Sequence, residues 1–299
     1  MKSLRTPDNR FNNLPDYDFA PNYLDIDGLR MHYVDEGPKD AEPVLLLHGE
    51  PSWSYLYRHM IPPIIAAGYR AIAPDLIGFG KSDKPTHQDD YSYAGHVAWM
   101  RQFIEQLDLT GLTLVCQDWG SLIGLRVAAE NEQRFARIVL GNGGMPTGDQ
   151  EMPKAFLIWR AFAQYSPWFP IGRIIQSGTV TELSADVVAA YDAPFPSSEY
   201  KAGARAFPKL VPARPDDPAS PANRAAWEIF RTWEKPFLTS FSNRDPITRG
   251  GEKSWQSEVP GAAGQAHTKI RNAGHFLQED KGPEFAQVVI DLIGATPAA

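Results

Sequence analysis

Residues 112–124, Leu-Thr-Leu-Val-Cys-Gln-Asp-Trp-Gly-Ser-Leu-Ile-Gly, constrain the fold more than any other part of the chain. A nearly all-apolar run passes into a helical pattern with no loop between them, and Asp118 stands at the junction. A strand with so little polarity is buried on both faces, which calls for helices on both sides of a parallel sheet. The small residues Cys116 and Gly120, two positions either side of Asp118, permit a tight turn. Such a strand–turn–helix lifts its central side chain above the sheet at the positive end of the helix, where a carboxylate stays ionised and nucleophilic. The plainer alternative is an aspartate that only caps the helix.

The surrounding chain agrees with that layout. Between residues 22 and 140, short β-rich runs alternate with longer amphipathic ones, the pattern of a doubly wound α/β core. Strands are expected at 23–26, 29–35, 44–47, 69–73, 112–116 and 138–141, the first two joined as a hairpin around Asp27-Gly28. Helices are expected at 55–67, 93–107 and 122–131, where apolar residues recur three or four apart. The rhythm changes after Gly144: residues 146–227 are rich in Trp, Phe, Tyr and Pro and hold no convincing strand, so they read as an inserted, mostly helical cap. The core, residues 1–145 and 228–299, then resumes with strands at 237–241 and near 267–270 and a helix at 283–293. The proline-rich stretch 208–221 is expected to be a loop within the insertion.

Composition narrows the function. With 43% hydrophobic and 22% charged residues, the 299-residue chain has ample material for a large core and is not disordered. Its net charge of −7 comes without a basic block, which argues against a nucleic-acid partner and for a small molecule. Cys116 is the single cysteine, so no disulfide and no cysteine-based zinc site is expected within the chain. The apolar runs are strand-sized and residues 1–18 are polar, so neither a membrane partner nor a signal peptide is expected and a cytoplasmic location is the default.

Further chemistry lies at other strand ends. Residues 45–54, Leu-Leu-Leu-His-Gly-Glu-Pro-Ser-Trp-Ser, open from a strand into a loop of the kind that supplies an oxyanion-hole amide in α/β-hydrolases. The two amides would be those of Glu50 and Trp119, while His48, beside a glycine at a strand end, reads as a buried structural histidine. Residues 271–279 place His275 behind Gly274 just after the last strand, and residues 241–246 place Asp245 in a polar turn after strand seven. Nucleophile, acid and histidine thus follow the chain order of this fold's triad. The segment Gly78-Phe-Gly-Lys-Ser82 imitates a phosphate-binding loop, but the glycine that the full pattern needs at position 75 is Asp75. No cofactor and no metal is indicated.

Over nearly its whole length the chain resembles the haloalkane dehalogenases, capped α/β-hydrolases that convert alkyl halides and water into alcohols, halide and protons. The resemblance rests on His48-Gly-Glu-Pro-Ser-Trp53, residues 75–85, Gln117-Asp-Trp-Gly120 and Ala273-Gly-His-Phe276, and the Asp-Trp pair is the specific motif. It implies Asp118 as nucleophile, His275 as base, Trp119 as a halide-binding indole, and Glu50 and Trp119 as oxyanion-hole amides. Some members carry an Asn directly after the His-Gly pair and an acid after strand six. Glu50 and Asn142 stand at those positions here, so the acid is expected at Asp245 and the second halide donor in the cap, at Trp159, with Trp168 the competitor. Epoxide hydrolases of the same fold are the alternative, with Tyr165, Tyr191 and Tyr200 available as cap acids, although a tryptophan after the nucleophile favours halide. The implied partners are a halogenated alkane, water and halide.

Overall fold

A computed structural model describes residues 1–296. Its centre is an eight-stranded sheet made of β1 (Asn22–Ile26), β2 (Leu29–Glu36), β3 (Pro43–Leu47), β4 (Arg70–Pro74), β5 (Leu112–Asp118), β6 (Phe135–Gly143), β7 (Phe237–Ser242) and β8 (Thr268–Ile270). The spatial order is β1-β2-β4-β3-β5-β6-β7-β8, parallel except where β2 pairs antiparallel with β1 and β4. The β1–β2 connection is the expected hairpin, and both turn residues, Asp27 and Gly28, have positive φ, as the tightest hairpin turns require. Val44 to Leu47 and Leu112 to Gln117 are buried without interruption, because helices cover both faces of the sheet.

Helices α1 (Ile61–Ala66), α2 (Tyr93–Gln106) and α3 (Trp119–Glu130) follow β3, β4 and β5, and α9 (Glu252–Glu258) and α10 (Leu277–Ala295) complete the core. Between β6 and β7 lie five helices and no strand: α4 (Lys154–Tyr165), α5 (Ile171–Ser177), α6 (Ala185–Asp192), α7 (Ala202–Leu210) and α8 (Ser220–Phe230). No helix among the described residues is long and apolar enough to cross a membrane.

Several boundaries differ from the sequence expectation, each for a local reason. The single helix expected at 55–67 is instead a 3₁₀ turn at Ser54–Tyr57 followed by the short α1. Pro62 and Pro63, which lack an N–H and disfavour helix in the residue before them, are tolerated only in a first turn, so the α-helix begins at them. Helix α3 starts at Trp119 rather than 122, directly on the last residue of β5. Helix α10 gains a turn before Pro283, and its backbone leaves helical geometry at Lys281, where the proline would clash with a continuous helix. The proline-rich stretch is split, since Pro208 lies inside α7 and Ser220 opens α8, leaving residues 211–219 as the loop; α8 also continues without a break through 227.

Two close approaches hold the loops that meet at Asp118. Asp75, at the end of β4, accepts the Ser54 amide at 2.8 Å, the Lys81 amide at 2.7 Å and the His32 ring at 2.7 Å. The segment that imitates a phosphate loop is therefore a structural turn wrapped on Asp75, and it braces the loop that carries Glu50. Gly120, in the first turn of α3, is pressed against the end of β3: a Cβ there would lie 2.0 Å from the Leu47 carbonyl oxygen. Gly120→Ala is expected to cost about 2 kcal/mol or more of stability, as overpacking against rigid backbone does. Gly294→Ala, at an open position of α10, should gain about 0.5–1 kcal/mol by helix propensity. Urea unfolding of the two variants checks this, and an unchanged midpoint for Gly120→Ala would show that α3 can slide away from β3.

Candidate active site

The carboxyl ends of β3, β5, β6, β7 and β8 converge, and open α/β sheets gather their functional groups at that edge. Asp118 has φ 50° and ψ −126°, a conformation that non-glycine residues adopt only under constraint. The constraint is visible in the pairing: β5 and β6 run in register from Thr113 and Arg137 to Cys116 and Leu140, then shift so that Asp118 pairs with Gly143. Asp118 precedes α3 but makes no capping bond with its side chain, so the simple cap reading fails. Its Oδ1 instead accepts the Glu50 amide at 2.7 Å. Gly49 makes that approach possible, since a Cβ there would lie 2.4 Å from the Asp118 Cβ. The Trp119 amide, first of the free donors of α3, makes no such bond to the carboxylate in this structure.

Asp118 Oδ2 lies 3.4 Å from His275 Nε2, and His275 Nδ1 lies 3.0 Å from Asp245 Oδ2. Asp245 is buried and held in turn by the Ile247 amide at 2.8 Å and by the Thr248 hydroxyl. Burial works against a charge on Asp245, but the His275 ring and these donors outweigh it and lower its pKa. His275 shows the mirror image: burial alone would lower its pKa, and the Asp245 and Asp118 carboxylates raise it well above the usual imidazole value.

Two residues that sequence reasoning left without a role complete the support of His275. The Gln117 side-chain nitrogen is 3.1 Å from His275 Nε2 and 3.2 Å from the His275 carbonyl oxygen. A carbonyl only accepts, so that nitrogen is the amide NH₂, and its bond to Nε2 favours the neutral ring with its proton on Nδ1, facing Asp245. Asn142 donates at 2.9 Å to the carbonyls of Gly274 and His275 and to the Ser242 hydroxyl, and accepts the Ser242 amide. It thus ties the ends of β6 and β7 to the histidine loop and holds the backbone of His275 rather than its ring. Both sit inside quoted motifs or at a compared position, but only the fold reveals what they reach.

His48 is fully buried, accepts the Leu76 amide at 3.0 Å through Nε2 and contacts the Gly49 carbonyl through Nδ1. Its ring is committed to backbone. A cavity of about 490 Å³ brings Asp118, Trp119, His275, Glu50 and Trp159 together beneath the cap. Trp119 is fixed against Phe207 at 4.5 Å and Tyr93 at 5.3 Å, and Trp159, on α4, stacks on Phe169 at 5.8 Å. Trp168 is 60% exposed and does not line the cavity. Nor do Tyr165, Tyr191 or Tyr200, and Tyr191 spends its hydroxyl on Glu279 at 2.5 Å. A neighbouring cleft of about 620 Å³ also reaches Asp118, past Gly144, Met145 and Trp227, but holds neither His275 nor the two tryptophans. Among the described residues no group of three or more His, Cys, Asp or Glu side chains is placed to hold a metal ion.

Known proteins resemble the chain over nearly its whole length. A family model described as alpha/beta hydrolase fold matches residues 42–282. A haloalkane dehalogenase of Psychrobacter cryohalolentis is 58% identical, over 99% of this chain and all of its own. One of Mycobacterium marinum is 57% identical, over 97% of this chain and 99% of its own. Among solved structures, haloalkane dehalogenase DpaA from Paraglaciecola agarilytica NO2, described as tetrameric, superposes with a TM-score of 0.90 at 36% identity, covering 97% of each chain.

The Glu50 side chain is the odd group in the cavity, because it is buried, one of its oxygens has no partner, and it faces another carboxylate. Burial first and Asp118 second raise its pKa well above the usual carboxyl value. Its contribution to stability is complete below its ordinary value of 4.5 and is lost as pH rises through the folded one. Glu50→Gln removes that loss. The variant should therefore melt at a higher temperature than wild type at pH 8, with the gain gone at pH 4; equal melting at pH 8 would show that the carboxyl is not desolvated.

Proposed function

The chain belongs to the haloalkane dehalogenase family of the α/β-hydrolase fold, and from that premise we propose how its residues divide the reaction. The enzyme hydrolyses a carbon–halogen bond to an alcohol, halide and a proton through a covalent alkyl-aspartate ester. In the proposed scheme, Asp118 Oδ2 attacks the carbon and the halogen leaves with the bonding pair as halide. Oδ1, already held by the Glu50 amide, becomes the carbonyl oxygen of the ester. The departing anion has no proton to collect, so it is stabilised by N–H donors; the Trp119 and Trp159 indoles supply them without adding a competing charge. An apolar chamber desolvates the nucleophile and admits the alkyl chain.

Water then attacks the carbonyl carbon of the ester and gives its proton to His275 Nε2, while the Glu50 and Trp119 amides steady the oxyanion. The oxyanion collapses and the bond from that carbon to the alkyl-bearing oxygen breaks. The leaving oxygen takes the proton from His275 and departs as the alcohol, and the restored Asp118 carboxyl loses its proton to solvent. Asp245 holds the Nδ1 proton and stabilises the imidazolium. The electrostatics support the order of events. In the free enzyme two carboxylates favour the charged ring, which is a poor base. Alkylation neutralises Asp118, removes one of the two, and leaves Gln117 and Asp245 to favour the neutral tautomer when a base is needed.

Residues 146–227 act as the cap over this chamber and residues 1–145 and 228–299 as the catalytic core. The partners are a halogenated alkane, water and halide, and we include a cytoplasmic location in the proposal, supported by the single buried, unpaired Cys116. The observation that carries the residue assignment is the chain of contacts Asp118–His275–Asp245 at the floor of a cavity that no cap tyrosine enters. Epoxide opening needs such a tyrosine as its acid.

With 1,2-dibromoethane or 1-bromobutane, His275→Gln should release one halide per active site and retain an alkyl adduct on Asp118 by mass spectrometry. Continued turnover at the wild-type rate would remove His275 from the role of base. Bromide or iodide should quench intrinsic fluorescence saturably, and Trp159→Phe should weaken both quenching and turnover. If Trp168→Phe produces that effect instead, the cap donor is misassigned.

A further inference from the structure

The loop between α5 and α6 forms part of the cavity rim through Gly178, Thr179 and Val180, and it lies directly on the loop that carries His275. The approach is close enough to need glycine on both sides. A Cβ at Gly274 would lie 2.3 Å from the Gly178 carbonyl oxygen, and one at Gly178 would lie 2.6 Å from the Phe276 ring. The Phe276 amide donates to that same Gly178 carbonyl at 3.3 Å.

One carboxylate fastens the two loops together. Asp280, in the first turn of α10, accepts the Thr181 amide at 2.7 Å and the Val180 amide at 2.9 Å through Oδ1. Its Oδ2 accepts the Gly274 amide at 2.7 Å and lies 3.0 Å from the Val180 amide. Bonds of this kind, from amides to a charged acceptor, are stronger than neutral ones, and Gly274 itself is buried. The neighbouring residue braces the same junction, since Glu279 joins Tyr191 of α6 to Arg58 of the core.

We propose that Asp280 is a positioning residue for His275, acting by clamping the α5–α6 rim loop onto the histidine loop so that displacement of the rim releases one side of the base. The other side stays anchored by Asn142 and Gln117. The rim is therefore coupled more tightly to the second half of the reaction than to the first: it lines the cavity, but alkylation depends on Asp118, which is held by β5, α3 and the Glu50 amide. This proposal rests on the reading of His275 as the base.

Two variants test it from opposite sides of the clamp. Asp280→Ala removes the shared acceptor. Gly178→Ala leaves Asp280 intact and wedges the rim off the Phe276 ring; its backbone conformation at φ −95° accepts alanine without strain, so the contact is the only thing disturbed. In single-turnover experiments with 1,2-dibromoethane, the halide burst should fall much less than the decay of the alkyl-enzyme in both. Decay of the alkyl-enzyme should slow by about tenfold or more, as small misplacements of a catalytic group do. Wild-type decay in both variants overturns the proposal, as does slow decay in Asp280→Ala alone, which would place the effect in the histidine loop without the rim. An equal fall in burst and decay overturns it too, since that marks general loosening of the fold. If Asp280→Ala does not fold, Gly178→Ala decides the question. His275→Gln serves as the reference: if it accumulates no alkyl-enzyme, the assignment of the base fails, whereas accumulation there with normal decay in the other two discards the clamp alone.

Discussion

The geometry of this enzyme depends on a single backbone turn. Asp118 is held at positive φ between the last pairing of β5 and the first turn of α3, with no connecting residue in which the strain could relax. The turn persists because its neighbours leave no alternative. Gly120 is pressed on the Leu47 carbonyl, Gly49 lies under the Asp118 Cβ, and the Glu50 amide bonds the carboxylate. Strain at one residue is held by packing from β3, β5 and α3 together.

Around that fixed point, the charge balance is set so that each step prepares the next. His275 lies between two carboxylates, and the proposed alkylation of Asp118 would neutralise one of them. In that scheme the ring loses part of what favours its charged form at the point where a base is needed. Glu50 fits the same logic: its backbone amide bonds Asp118, while burial and the neighbouring Asp118 carboxylate raise the pKa of its side chain and so disfavour a second charge in the cavity.

The histidine loop is held from three directions, which explains why its sequence surroundings are so dense in small and polar residues. Asn142 fastens it to the ends of β6 and β7, Gln117 reaches it from β5, and Asp280 reaches it from α10 together with the cap rim. In the proposed scheme His275 points at a water, which cannot itself hold the ring in place, so the surrounding hydrogen bonds must do so.

The sequence alone determined the sheet, because strands buried on both faces show as unbroken apolar runs, and it determined where Asp118 stands, because an apolar strand followed at once by a helix leaves one place for the junction. It also contained Asp245 and His275 in their order along the chain. It did not contain the start of α10 or the break at Pro62 and Pro63, since the apolar period runs through both and only backbone geometry interrupts it. Nor did it show what Gln117, Asn142 and Asp280 do. Gln117 and Asn142 have partners 158 and 132 positions away, and the rim side of the Asp280 clamp lies 100 positions away; hydrogen bonds of that separation leave no local pattern of spacing. The tertiary structure alone decided between Trp159 and Trp168 as the tryptophan that reaches the cavity: both lie in aromatic surroundings nine positions apart, and only the packing of α4 on Phe169 turns one inward and leaves the other in solvent.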